Sequence, residues 1–253
     1  MTTSATGVTP RSAARIAGCG YLAIGVLAIF ANFFVVSNLI EPGDASATAA
    51  NIVESEGLFR SGLISFTIVF ALDVVIAWAL YIFFRDMNRD LALLTAWFRL
   101  VYTVLLGVGL IFFFLVLQLV GRAEHLAALE TGQREAQVML YLDAFEYAWL
   151  IGLFSFGVHL ALLGYLVLKS GFIPRAIGIL LLLAGAVYAL DTTAHALLSN
   201  YDDFENVFLA IVAVPSVIGE LSFALWLLLR GGKEGAAPPV DDRSGVVKHA
   251  VSP

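Results

Sequence analysis

GVHLALLGYLVLKSGFIPRAIGILLLLAGAVYALD, residues 157–191, decides the fold. Two apolar runs flank the break KSGFIPR, and they continue outward to roughly residues 144–168 and 176–199. A helix needs about 20 mostly apolar residues, at a rise of 1.5 Å each, to cross a hydrocarbon core of about 30 Å. Both runs meet that length. Backbone N–H and C=O groups in lipid must be satisfied within the chain, so each run is expected to be a transmembrane helix. A turn as short as KSGFIPR makes the two helices antiparallel neighbours.

Four more runs of the same kind lie at roughly 14–40, 61–84, 91–120 and 207–229. The breaks EPGD, RDMNRD, GRAEH and NYDDFEN separate them with charge and turn chemistry. The expected fold is all-α, a polytopic bundle of six transmembrane helices. Composition agrees, since 60% of the 253 residues are hydrophobic and 13% charged, whereas soluble domains are about a quarter charged. A net charge of −6 with no Lys/Arg-rich stretch excludes nucleic acid as a partner and leaves the lipid bilayer. The single cysteine, Cys19, has no disulfide partner in the chain and is expected to pack rather than react. The N-terminal apolar run is too long for a signal-peptide core of about 7–15 residues, so it reads as an uncleaved first span.

Orientation follows from Lys and Arg, which are retained on the cytoplasmic side. Arg11, Arg15, Arg85, Arg89, Lys169, Arg175, Arg230 and Lys233 fall on one side of the six spans. Arg60, Arg122 and Arg134 fall on the other, among ten acidic residues such as Glu41, Asp44, Glu124 and Asp203. Both termini are therefore expected in the cytoplasm of a bacterial inner membrane. Residues 1–13 read as a cytoplasmic tail, 14–230 as the transmembrane domain and 231–253 as a disordered cytoplasmic tail. In the first outer loop, Pro42-Gly43 makes a turn and Asp44 caps a short helix over ASATAANIVESEG. The second, residues 122–141, reads as a separate helix, with Leu126, Leu129, Val138 and Met139 lying on the membrane surface.

Charge inside the hydrocarbon narrows the chemistry. Asp73 lies twelve residues from Arg85, and Arg99 ten from Arg89. His159 lies ten from Lys169, and Glu220 ten from Arg230. At 1.5 Å per residue all four sit about 15–18 Å deep, near the bilayer midplane. Each would cost about 2.5–3.5 kcal/mol facing lipid, so they are expected to face one another. Small and polar neighbours at helical spacing, Ser155 and Gly152 beside His159 and Ser216 beside Glu220, support that. Arg99 is expected to fork between Asp73 and Glu220. Buried ion pairs can equally serve only to fix which helices pack together.

A second polar set lies nearer the outside: Tyr188, Asp191 and His195 on one face of the fifth span, Asn32 on the first and Glu146 on the fourth. One histidine with two or three carboxylates has the donors of a divalent-metal site. The plainer reading is that Asp191 and His195 bond to backbone and water near the interface. Neither the metal nor any cofactor is specified, because no HExxH, CxxC or GxSxG motif is present. Pro215, five residues before Glu220, breaks the backbone bonding of the last span.

RIAG before the first span, EPGDASATAANI and SEGLFR after it, MNRDLALLTAWFRLV, GVHLALLGYLVLKSGFIPRAIGILLLLAGAVYALD and GELSFALWLLLRG occur in order along nearly the whole chain. In these stretches the sequence resembles a bacterial family of multi-pass membrane proteins known as domain of unknown function 4386. The resemblance implies a helical bundle in the plasma membrane and carries no reaction, ligand or partner. Three classes stay open: a small-solute or proton-coupled carrier, a membrane-embedded metal-dependent lipid hydrolase, and a non-enzymatic regulatory or assembly subunit. A polar cavity reaching the midplane would mark the first. An opening onto His195 and a carboxylate would mark the second. Oligomeric state is not specified by the sequence.

Overall fold

The computed structural model describes residues 7–121 and 128–231, apart from the side chains of residues 202 and 205. Six of its helices have the length and apolarity of membrane spans. They are α1 (Pro10–Leu39), α3 (Glu56–Phe84), α4 (Arg89–Val120), α5 (Thr131–Ser170), α6 (Arg175–Leu197) and α7 (Glu205–Leu229). A short α2 (Ala45–Glu54) joins α1 to α3. The tail beyond Gly231, read from sequence as disordered, lies outside the described residues, as do the first six.

Local signals explain where the helices begin and end. Pro10 opens α1 behind the Thr9 cap, as its fixed φ and missing N–H allow. Asp44 Oδ1 accepts from Ala47 N at 2.9 Å, and Asn88 Oδ1 from Leu91 N at 3.0 Å, each satisfying a donor that the helix itself leaves open. Gly171 ends α5 at φ +73°, the left-handed conformation that favours glycine. Within α1 the residues Phe30–Val36 widen into π-helical turns.

The spans close into a ring: α1 packs on α3, α3 on α4, α4 on α5, α5 on α6, α6 on α7, and α7 returns to α1. The contact between α5 and α6 is built on glycine. A Cβ at Gly157 would stand 2.7 Å from the Gly185 carbonyl oxygen, and one at Gly185 would stand 2.5 Å from that of Gly157. Gly164 and Gly178 repeat the arrangement two turns along, at 2.7 and 3.0 Å. Association in lipid depends on close packing rather than on hydrophobic expulsion, so paired small residues hold these backbones together.

Two apolar cores divide the ring by level. At the terminal end, where α1 begins and α7 finishes, every span contributes, from Ala13 and Ala17 of α1 to Phe223 and Leu227 of α7. At the opposite end, the α2 end, the core is made by α1 to α5 alone, with Val35, Ile52, Phe66, Phe113 and Phe145 at its centre. Neither α6 nor α7 adds to it.

The structure corrects two sequence expectations. Residues 131–141 are not a separate surface helix but the first turns of α5, with Val138 and Leu142 buried in the α2-end core. No breaker separates them from the span, so the helix continues through. Residues 122–127 of that loop lie outside the described residues. Cys19 does not pack within the bundle: Gly18 and Gly20 take the inward positions of that turn, leaving the thiol exposed on the outer face of α1.

Candidate functional site

At the level between the two cores the ring encloses polar side chains. Asp73 from α3 and Arg99 from α4 are each 1% exposed and form an ion pair, Arg99 Nη2 donating to Asp73 Oδ1 at 2.5 Å. Arg99 Nη1 donates to the Tyr21 hydroxyl at 2.8 Å and lies 3.2 Å from His159 Nε2. The guanidinium carbon sits 4.7 Å from the Tyr21 ring centre and 5.3 Å from that of Phe156, within cation–π range. Three helices thus hand partners to one guanidinium.

The hydrogen bonds define the state of His159. Its Nδ1 lies 2.9 Å from the Thr95 carbonyl oxygen, which can only accept, so Nδ1 carries the proton. Arg99 can only donate, so Nε2 carries the lone pair. A ring with one N–H and one lone pair is neutral. The Asp73–Arg99 pair is neutral as well.

Glu220 departs from the expected fork. It lies on the inward face of α7, between Ser216, which is buried, and Phe223 and Ala224, which are fully enclosed. It is half-buried and within electrostatic reach of both Arg99 and Asp73. It nevertheless has no hydrogen bond and no ion pair among the described residues, and the Nη groups of Arg99 turn instead to Asp73, Tyr21 and His159. The Asp73 Oδ2 and Arg99 Nε atoms are buried without partners.

Sequence reading missed Tyr21. Counting ten residues from Arg11 places it at the level of the other four, yet a phenol carries no charge and so gave no alarm. Tyr188, assigned from sequence to the outer set, stands at the midplane instead, with its ring 5.7 Å from Phe156 and within electrostatic reach of Glu220. Tyr21, Asp73, Arg99, His159, Tyr188 and Glu220 therefore come one from each of the six spans.

The rest of the outer set does not form a metal-holding group among the described residues. Asn32 spends its amide on its own helix, donating to the Ala28 carbonyl at 2.9 Å beside the π-helical turns. Ser37 and Asn38 likewise donate to carbonyls of Asn32, Phe33 and Phe34. Glu146 is exposed on α5. Asp191 accepts from the Tyr201 hydroxyl at 2.6 Å, and the His195 ring lies 4.5 Å from that of Tyr201. Among the described residues no three His, Cys, Asp or Glu side chains are grouped to hold a metal ion.

The route to the midplane is asymmetric. At the terminal end the α1–α7 seam is tight: a Cβ at Gly18 would stand 2.6 Å from Leu228 Cγ, and the Tyr21 and Phe223 rings meet edge-on at 6.1 Å. Toward the α2 end it is loose. A Cβ at Gly25, one turn beyond Tyr21, would meet nothing within 4 Å. No residue of α1 between Tyr21 and Ala31 is buried, nor any described residue of α7 before Ser216. Two depressions on the α3–α4 outer surface, around Trp97 and around Trp78, are apolar and do not reach the cluster.

A ring of six apolar spans closed around charged side chains defines a polytopic membrane protein. The model of the family described as Domain of unknown function (DUF4386) matches residues 16–231, and the chain belongs to that family. It is also similar to an uncharacterized protein of Archaeoglobus fulgidus, 27% identical over 171 residues, which cover 68% of this chain and 84% of the relative. No solved structure matches.

Proposed function

We propose that this protein is a small-solute or proton-coupled carrier of a bacterial plasma membrane, with its terminal end in the cytoplasm. The observation that carries the reading is the uneven packing around the midplane. Below the cluster all six spans share one sealed apolar core; beyond it α6 and α7 leave the core, and the α1–α7 seam is unpacked. A carrier needs a binding level that is closed to one side and open to the other. Helix irregularities supply joints, and both walls of the seam contain one on its α2-end side: the π-helical turns in α1 and Pro215 within α7. The positive-inside asymmetry of the loops directs the open side outward. A rigid assembly subunit has no use for a seam packed on one side of a charged layer only.

Alternation is what separates a carrier from a fixed scaffold. In a Cys19→Ser background, Leu227→Cys probes the sealed core, where Leu227 is 0% exposed. In inside-out vesicles a membrane-impermeant maleimide is expected to label it slowly, as the terminal end opens in turn. Complete protection of Leu227→Cys, while Phe172→Cys in the adjoining turn labels fully, would overturn the carrier reading.

A further inference from the structure

Resting on that reading, we propose that Glu220 is a binding site for a single positive charge, a proton or an alkali cation, which reaches it through the α1–α7 seam. The groups that face this level from every packed element are Tyr21 on α1, Asp73 on α3, Arg99 and Tyr102 on α4, His159 on α5, and Tyr188 on α6. Their charges sum in a defined way. Arg99 neutralises Asp73 at 2.5 Å, the Thr95 and Arg99 contacts make His159 neutral, and the tyrosines are phenols. Glu220 alone is left as a carboxylate with no counter-charge in contact.

A bare carboxylate at the midplane is costly, and an arriving positive charge would offset that cost. Arg99 makes no hydrogen bond to Glu220: its Nη groups turn to Asp73, Tyr21 and His159, and its Nε is buried without a partner. The geometry leaves room for an arrival. Glu220 is half-buried although it lies on the inward face, and open space begins at Gly25, one turn above Tyr21 on the facing wall. Ser216, one turn above Glu220 on α7, is buried at 3% exposure and offers an oxygen on the same face. A divalent ion finds no support here, since among the described residues no group of three His, Cys, Asp or Glu is present.

Perfusion infrared difference spectroscopy on the full-length reconstituted protein reads the site directly. Stepping the pH at constant salt should interconvert a carboxylic-acid and a carboxylate band if the occupant is a proton. Exchanging sodium or potassium for choline at constant pH should shift the carboxylate bands if it is an alkali cation. Either signal is expected to vanish in Glu220→Gln and persist in Glu220→Asp, both of which must elute as folded protein. No response of either kind in the wild type, or a response that survives Glu220→Gln, overturns the proposal. A positive infrared result beside complete protection of Leu227→Cys would keep the cation site and remove the carrier.

Discussion

Arg99→Met attacks the one permanent cation of the midplane. The substitution removes the hydrogen bonds to Asp73, Tyr21 and His159, together with the cation–π stacking on Tyr21 and Phe156. At about 0.6 kcal/mol for each hydrogen bond within a membrane bundle, the three bonds alone come to roughly 2 kcal/mol. The larger effect is the Asp73 carboxylate, 1% exposed, left without a counter-charge. Breaking a buried pair from one side costs about 3–5 kcal/mol, a figure that includes the broken bonds. With about 2–4 °C per kcal/mol for a chain of this size, the melting temperature should fall by roughly 6–20 °C. Arg99→Met with Asp73→Leu removes both charges and should recover part of that. In the double variant the bonds to Tyr21 and His159 and the cation–π contacts are still missing, about 2 kcal/mol, so it should melt roughly 4–8 °C below the wild type. Heating in detergent followed by fluorescence-detected size exclusion measures all three proteins. The pairing is wrong if the single variant melts with the wild type, or if the double variant melts no higher than the single.

Gly185→Ala places a methyl 2.5 Å from the Gly157 carbonyl oxygen and should cost about 1–3 kcal/mol, while Gly132→Ala, with open space around it, should melt unchanged in the same assay. Asn32→Leu leaves the Ala28 carbonyl without its side-chain donor and should cost about 1 kcal/mol. Topology is checked in intact cells with the same impermeant maleimide: cysteines at Asp44, Glu130, Asp203 and Gly25 should label, and those at Asn88 and Phe172 should not. Labelling at Asn88 would invert the orientation.

The residues that place the six spans could all be read in one dimension. Lipid admits only segments whose backbone bonds close on themselves, so about 20 apolar residues between breaks such as KSGFIPR already mean a helix. The Asp44 cap and the α2 helix were legible for the same local reason. The level of Asp73, Arg99, His159 and Glu220 followed from counting, because depth in a bilayer is a linear function of position along a helix. The long start of α5 was not legible: Val138 looks like a surface anchor until the α2-end core that buries it is known.

Partner choice at the midplane lay beyond a linear reading. Sequence makes Asp73 and Glu220 equivalent claimants on Arg99, and makes Tyr21 and Tyr188 ordinary aromatic residues of their spans. Only the order of helices around the ring sets Tyr21 and His159 against the guanidinium, sends Asp191 to Tyr201, and leaves Glu220 without a hydrogen bond or ion pair among the described residues. The glycines illustrate the same division. Gly157, Gly164, Gly178 and Gly185 announce close packing by composition, but that they face one another across α5 and α6, while Gly25 faces open space, depends on the rotation of each helix about its axis. Depth is set by the bilayer and is written into the chain. Rotation and neighbour order are set by how side chains interlock, and those decide which buried charge is paired.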